Sequence, residues 1–194
     1  MSKFNNLGLN DKLNQTAQKI GFEQPTEVQS KVIPVLLEHP STDLIALAQT
    51  GTGKTAAFGF PLLQKIDPTQ KHTQGLILSP TRELCLQITK EMQAYAQLTD
   101  GINIVAIYGG ASIDQQAKSI KRGAQIVVAT PGRMKDMIKR NLVNINKLDY
   151  CVLDEADEML KMGFVEDIET ILENTNPNRQ TVMFSATMPK RIMD

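Results

Sequence analysis

From Asp43 onward, short apolar runs recur along the chain, separated by longer stretches with helical spacing. The runs cover 44–48, 75–79, 102–108, 125–129, 150–154 and 181–185. Within them apolar residues follow one another instead of alternating, which predicts strands buried on both faces. Between them, Leu84, Leu86, Ile88, Met92 and Tyr95 mark a helical pattern over 83–97. Shorter amphipathic stretches occupy 113–121, 134–140 and 166–172, and Thr130-Pro131 reads as a helix start, with Thr as cap and Pro at the first helical position. Strands alternating with helices predict an α/β fold, a mostly parallel central sheet with helices on both faces. Ahead of the first strand, a helical pattern over 11–37 is broken at Pro25, which biases Gln24 out of the helical region. A turn at His39-Pro40-Ser41-Thr42 leads into the sheet. No repeat or low-complexity tract interrupts this order, so the reading is a single domain over 1–194, with a helical segment at 1–42 and an α/β core at 43–194.

Composition narrows the partners. The 194 residues are 41% apolar and 22% charged, ordinary for a soluble globular chain. Basic and acidic residues balance at 21 each, so any nucleic-acid site must be local and built from a few aimed donors. Cys85 and Cys151 lie in apolar stretches and read as buried thiols in a reducing compartment. No apolar run reaches the length of a membrane span, and the opening residues do not form a signal peptide. The expected location is cytoplasmic, with no membrane contact.

Two short runs carry the chemistry. The first, Ala48-Gln49-Thr50-Gly51-Thr52-Gly53-Lys54-Thr55, follows a predicted strand and opens a predicted helix. That context suits a phosphate loop. Gly51 and Gly53 let successive amide hydrogens turn inward, and the helix start adds its positive end. Lys54 can reach the outer phosphates, and the Thr55 hydroxyl can ligate magnesium. Glycine is usual at the first position, where this chain has Ala48. Taken as a bare pattern, the run could also be a Gly-rich turn before a helix.

The second run is Asp154-Glu155-Ala156-Asp157, after the strand at 150–154. Asp154 at the strand tip suits magnesium. Glu155, one residue on, can orient or deprotonate an attacking water. An isolated acidic pair is ordinarily a solvated helix start. Here a phosphate loop lies upstream, and ligands of open parallel sheets bind at the carboxyl ends of strands.

With these runs in view, the chain resembles a DEAD-box RNA helicase, and specifically the first, RecA-like domain. Further motifs occur in the family's order. Gly21-Phe22-Glu23-Gln24-Pro25-Thr26-Glu27-Val28-Gln29 resembles the adenine-reading Q motif, with Phe4 as its upstream aromatic. Pro80-Thr81-Arg82-Glu83-Leu84, Gly109-Gly110 and Thr130-Pro131-Gly132-Arg133 resemble the RNA-contact motifs. Ser185-Ala186-Thr187 resembles the motif that couples hydrolysis to strand separation. Glu27-Val28 and Cys85 depart from the commoner Pro-Ile and Ala.

The resemblance implies roles for these residues. Gln29 would hydrogen-bond adenine, Phe22 would pack on the base, and Thr26 would anchor the segment. Gln49 to Thr55 would hold the phosphates of ATP, with magnesium between Thr55 and Asp154, and Lys54, Asp154 and Glu155 would form the catalytic set. Pro80, Thr81, Arg82, Gly109, Gly110, Thr130, Gly132 and Arg133 would meet RNA phosphates and sugars, positioning the strand without reading sequence. The helix after Gly132 would bend one strand of a duplex. Asp157, Ser185, Ala186 and Thr187 would link the nucleotide to the interdomain surface. On residues alone, Gln29 reads as a solvated helix residue, Arg82 and Arg133 as surface ion pairs, and Ser-Ala-Thr as a helix cap.

The family pairs two such domains, and the second supplies arginines to the ATP site. The chain is therefore expected to be the first domain alone, a monomer that hydrolyses ATP at least about a thousandfold more slowly than the two-domain protein. An alternative of another class is an ATP-gated RNA clamp or scaffold with little turnover. A DNA-processing or metabolic phosphate-loop enzyme is the alternative outside the family, and adenine selectivity separates it from the helicase reading. With about two or three phosphate contacts, log K for single-stranded RNA is expected to fall with log salt at a slope of roughly −1.5 to −2. A much steeper slope would require a further basic site.

Overall fold

The computed structural model describes residues 3–190. Met1, Ser2 and residues 191–194, which the sequence reading assigns to the same domain, lie outside the described residues. A 3-10 turn at Lys3–Asn6 precedes helices α1 (Asp11–Lys19) and α2 (Glu27–Glu38). The core then runs β1 (Leu44–Leu47), α3 (Lys54–Lys65), β2 (Gly75–Leu78), α4 (Arg82–Tyr95), β3 (Ile104–Ile107), α5 (Ile113–Lys121), β4 (Ile126–Ala129) and α6 (Pro131–Lys139). It closes with β5 (Tyr150–Leu153), α7 (Ala156–Lys161), α8 (Val165–Glu173) and β6 (Gln180–Ser185). The strands form one parallel sheet in the order β1-β6-β5-β2-β4-β3. This is the predicted α/β fold.

Two apolar layers clothe the sheet. On one face, Ile77, Val128, Val152 and Phe184 pack against α1 to α4 through Leu13, Ile33, Phe58 and Met92. On the other, Leu76, Leu78, Val127 and Leu153 pack against α5 to α8 through Met134, Met137, Met159 and Ile171. β2 and β4 are buried throughout, as their continuous apolar runs predict. β1 is not. Ile45 and Leu47 are 41% and 59% exposed, because β1 is an edge strand and the second helical layer does not extend over it. Both cysteines are free and buried. Burial pushes the Cys85 thiol up to about 11, and its sulfur lies 3.2 Å from the Val128 carbonyl, tying α4 to β4. No helix among the described residues is long and apolar enough to cross a membrane.

The helical segment breaks earlier than Pro25. Gly21, at φ +87°, ends α1 in a left-handed turn: the Phe22 amide donates to Ala17 and the Gly21 amide to Gln18. The chain restarts at Thr26, whose hydroxyl accepts from the Gln29 amide while the Gln29 side chain accepts from the Thr26 amide. The intervening turn drives Phe22 into an aromatic cluster. Phe22 stacks on Phe4 at 6.0 Å and meets Phe60 edge-on at 6.3 Å, while Phe60 stacks on Tyr95 at 4.8 Å. A second tie is Gln180, whose amide nitrogen donates to the carbonyls of His39 and Thr42 and whose oxygen accepts from Lys65. The segment is thus fastened to the core at both ends.

Phe60 is fully buried at the centre of that cluster. Phe60→Ala is expected to lower unfolding stability by about 3–5 kcal/mol, read from the urea midpoint at unchanged m.

Candidate functional site

The first run lies where β1 gives way to α3. Gly51 and Gly53 both take positive φ, +81° and +78°. At Gly53 a side chain is excluded twice, since a Cβ would sit 2.5 Å from the Gln29 amide nitrogen. That nitrogen donates to the Gly53 carbonyl at 3.1 Å. Gln29 is only 4% exposed, so it is no solvated helix residue; it hooks α2 onto the loop. A carboxamide offers two donors and two acceptor lone pairs. Thr26 and Gly53 take one of each, leaving one donor and one acceptor. Gln49, Thr50 and Gly51 are exposed, and the Thr52 hydroxyl steadies the bend by donating to the Gln49 carbonyl at 2.7 Å.

Lys54 joins the two runs. Its ammonium lies 3.0 Å from Asp154 Oδ1 and 3.4 Å from Glu155 Oε1, a separation of about a hundred residues closed by one side chain. Asp154 is fully buried, and no hydrogen bond of good geometry reaches either of its oxygens. Burial pushes its carboxyl above the usual range, and Lys54 only opposes this. Two buried oxygens with a lone ammonium beside them fit a divalent cation. Among the described residues no group of three or more acidic, His or Cys side chains could hold a metal. The one buried carboxylate of Asp154 suits magnesium, which is commonly held by one or two carboxylates, water and substrate phosphates. Thr55, half-buried in the first turn of α3, is the second candidate ligand.

Glu155 caps α7 in the left-handed region, at φ +52°, ψ +51°. A non-glycine residue held there is strained, and such strain gathers at functional sites. The turn leaves the Glu155 carboxylate partly exposed while Asp154 is sealed. Asp157, two residues on, accepts from the Thr187 hydroxyl at 3.0 Å and the Thr187 amide at 3.2 Å. The Ser185 hydroxyl donates to the Thr187 carbonyl at 2.6 Å. Asp157, Ser185 and Thr187 are therefore brought together, whereas the exposed Ala186 makes only the turn. Burial raises the Asp157 carboxyl, but the hydrogen bonds led by Thr187 outweigh it and hold the group below the usual range.

The remaining motif residues follow β2, β3 and β4, the other half of the same carboxyl edge. Thr81 caps α4, accepting from the Leu84 amide, and Pro80 is buried beneath it. Among the described residues neither Arg82 nor Arg133 makes an ion pair. The Arg82 guanidinium lies 5.0 Å over the Tyr108 ring, and a Cβ on Gly110 would come within 3.4 Å of it. Gly109, Gly110 and Gly132 are exposed, and Thr130 caps α6 without a side-chain bond. Arg133 donates to the Ala111 carbonyl and to Gln116 Oε1 at 3.0 and 3.2 Å.

Three residues escape the sequence reading. Tyr108 supports Arg82, and its signal is an aromatic residue ending a strand just before Gly109-Gly110. Gln116 is buried and joins Arg133 to the Tyr108 carbonyl. Its signal is a polar residue on the helical stripe of Ile113 and Ile120. Ser79, fully buried with an unpartnered hydroxyl, follows β2 beside Asp154. Its signal is a polar residue closing an apolar run.

Comparison with known proteins agrees with this arrangement. A family model described as DEAD/DEAH box helicase matches residues 26–194. The chain is 47% identical over 189 residues to the ATP-dependent RNA helicase DeaD of Haemophilus influenzae, covering 97% of this chain and 30% of that protein. It is 49% identical over 193 residues to the RNA helicase CrhR of Synechocystis, covering 100% of this chain and 38% of that one. It therefore spans about a third of the length of these curated relatives. The crystal structure of a DEAD box protein from the hyperthermophile Methanococcus jannaschii superposes with a TM-score of 0.93 at 43% identity, over 98% of this chain and 51% of that chain.

The Asp157–Thr187 link is open to a stability test. A carboxylate with a depressed folded-state pKa stabilises the fold above the unfolded pKa and loses that contribution as pH falls through its folded value. Asp157→Asn should cost about 1–3 kcal/mol near neutral pH. The difference from wild type should close as pH drops below about 4. Urea unfolding across a pH series reads both.

Proposed function

The chain belongs to the DEAD/DEAH box helicase family, and we propose that it is the ATP-binding, RNA-contacting domain of an ATP-dependent RNA helicase. The observation that carries this reading is Lys54, whose ammonium joins the phosphate loop to Asp154 and Glu155 in a buried ion cluster. An outer phosphate of ATP entering the loop offers Lys54 a new counter-charge, so Lys54 can hold the phosphate and release the two carboxylates. Asp154 and Thr55 are the residues that would hold a magnesium ion, which would supply positive charge at the phosphates. Glu155, freed and partly exposed, orients a water for attack on the outer phosphate. The left-handed turn points it outward while Asp154 stays sealed.

Adenine is read by what remains of Gln29, one donor and one acceptor, which complements the adenine edge. Because the same amide holds Gly53, base recognition and loop geometry are mechanically joined. Phe22, half-buried with its ring backed by Phe4 and Phe60, provides the apolar surface for the base. Thr81, Arg82, Gly109, Gly110, Thr130, Gly132 and Arg133 line an edge suited to RNA phosphates and sugars, while Pro80, expected there from the sequence, is buried and only supports Thr81. Asp157, Ser185 and Thr187 tie the turn after Glu155 to the end of β6, between β1 and β5. A second domain completes the ATP site in the full-length protein.

Intact Lys54 and Glu155 favour turnover over a nucleotide-gated clamp. In the full-length protein, Glu155→Gln should lower RNA-stimulated ATP hydrolysis by about a hundredfold or more while leaving ATP-dependent RNA retention intact. Unchanged turnover would remove Glu155 from the water site. Displacement of a fluorescent adenine nucleotide from the chain itself should be far weaker for GTP than for ATP, and Gln29→Ala should erase that preference. Equal competition by GTP in the wild type would favour a different class of phosphate-loop enzyme.

A further inference from the structure

A groove of about 810 Å³ lies along α5, away from the nucleotide half of the sheet. Lys71, His72, Lys118, Lys121 and Lys147 line it, with Asp114 as the one carboxylate among its walls. None of these four lysines pairs with a carboxylate among the described residues. In a chain with 21 basic and 21 acidic residues, that is a local concentration of uncompensated charge. The floor is apolar, formed by half-buried Ile120, Leu142 and Val143. The Lys71 stem passes over Gly123, where φ is +113° and an added Cβ would lie 3.4 Å away.

The placement gives the groove a direction. Its upper end, at Asp114, is in the first turn of α5, which begins three residues after Gly110. Arg133 is hydrogen-bonded to that same corner, at Ala111 and Gln116. Its lower end lies at Thr73 and Lys147, which precede β2 and β5 at the opposite edge of the sheet. Resting on the RNA reading of the carboxyl edge, we propose that this groove is a second track for single-stranded RNA, continuing the strand from Gly110 down the flank of α5.

Continuity with the carboxyl edge favours RNA over an acidic protein segment, since the groove starts three residues beyond Gly110 at a corner held by Arg133. Arginine forks grip carboxylate and phosphate alike, and none lines the groove. Lysines are point charges on flexible stems, suited to following a phosphate backbone. No Phe, Tyr or Trp lines the groove and His72 is its single ring, so the track lacks a run of stacking platforms and its affinity is mainly electrostatic. Each lysine that meets a phosphate adds about −0.7 to the slope of log K against log salt. With all four engaged, a strand long enough to enter the groove should show a slope of roughly −4 to −5, against −1.5 to −2 for one confined to the carboxyl edge.

Fluorescence anisotropy over a salt series tests this, with two oligouridylates, one sized for the carboxyl edge and one longer by about ten nucleotides. The variants are K118Q with K121Q, both exposed on α5 where glutamine keeps the helix, and K147Q alone in the loop. The double variant should make the long-RNA slope shallower by about 1.4 and K147Q by about 0.7, with the short RNA unchanged. Equal slopes for the two lengths would overturn the track. So would variants that bind the long RNA as wild type does while Arg82→Ala still weakens both lengths. If Arg82→Ala alters neither length, the reading of the carboxyl edge fails and takes the track with it. Polyglutamate binding that disappears in the double variant, with long-RNA binding intact, would reassign the groove to an acidic protein segment.

Discussion

The site is organised by one buried ammonium between two carboxylates. Lys54 opens α3 after β1, and Asp154 follows β5, yet these strands are not neighbours; β6 lies between them. The lysine therefore reaches past the end of β6, and the turn at Ser185-Ala186-Thr187 sits under the same bridge. Removing one partner from a buried ion pair costs far more than the pair contributes, because it leaves a charge without solvent or partner. The cluster sets one ammonium between two carboxylates, and Asp154 relies on that ammonium, 3.0 Å away, for its partner. On the proposed function, a phosphate would draw Lys54 off the carboxylates and a divalent cation would replace its charge there.

Sheet order then divides the labour. The nucleotide candidates follow β1, β5 and β6, while the RNA candidates follow β2, β4 and β3. The halves meet at the β5–β2 pair, where Asp154 stands beside Ser79 and the turn into Arg82. Communication need not travel far. Asp157 lies two residues beyond Glu155 and holds Thr187, while Arg82 lies over Tyr108 beside Gly110 in the other half. The left-handed turn at Glu155 is the shared joint, since its geometry sets both the candidate carboxylate of Glu155 and the start of α7.

Much of this was legible in the sequence because it is local. Continuous apolar runs disclosed the strands, and the glycine spacing before Lys54 disclosed the loop. What stayed hidden is non-local. The exposure of Ile45 and Leu47 follows from β1 being at the edge, and strand order is not written in any one strand. The burial of Gln29 depends on α2 docking against Gly53, 24 residues away. Arg82 and Arg133 were legible as cations but not by their partners, a tyrosine face and a backbone carbonyl. The helical break was misplaced for a physical reason: Pro25 is the conspicuous breaker, but Gly21 had already ended α1 with a left-handed residue that costs glycine nothing.

The departure at Ala48 is explained by the same distinction between local pattern and tertiary role. Glycine matters in a phosphate loop where the backbone must enter the left-handed region or come close to another group. Gly51 and Gly53 meet that condition, with positive φ at both and the Gln29 amide crowding the second. Ala48 does not. It is not among the residues with positive φ, its amide donates to the Ser185 carbonyl at 2.9 Å, and it is 7% exposed. Position 48 thus extends the β1–β6 pairing by one hydrogen bond before the loop turns away. A methyl group there adds buried apolar surface to the core while leaving every amide around Gly51 and Gly53 free to face a phosphate.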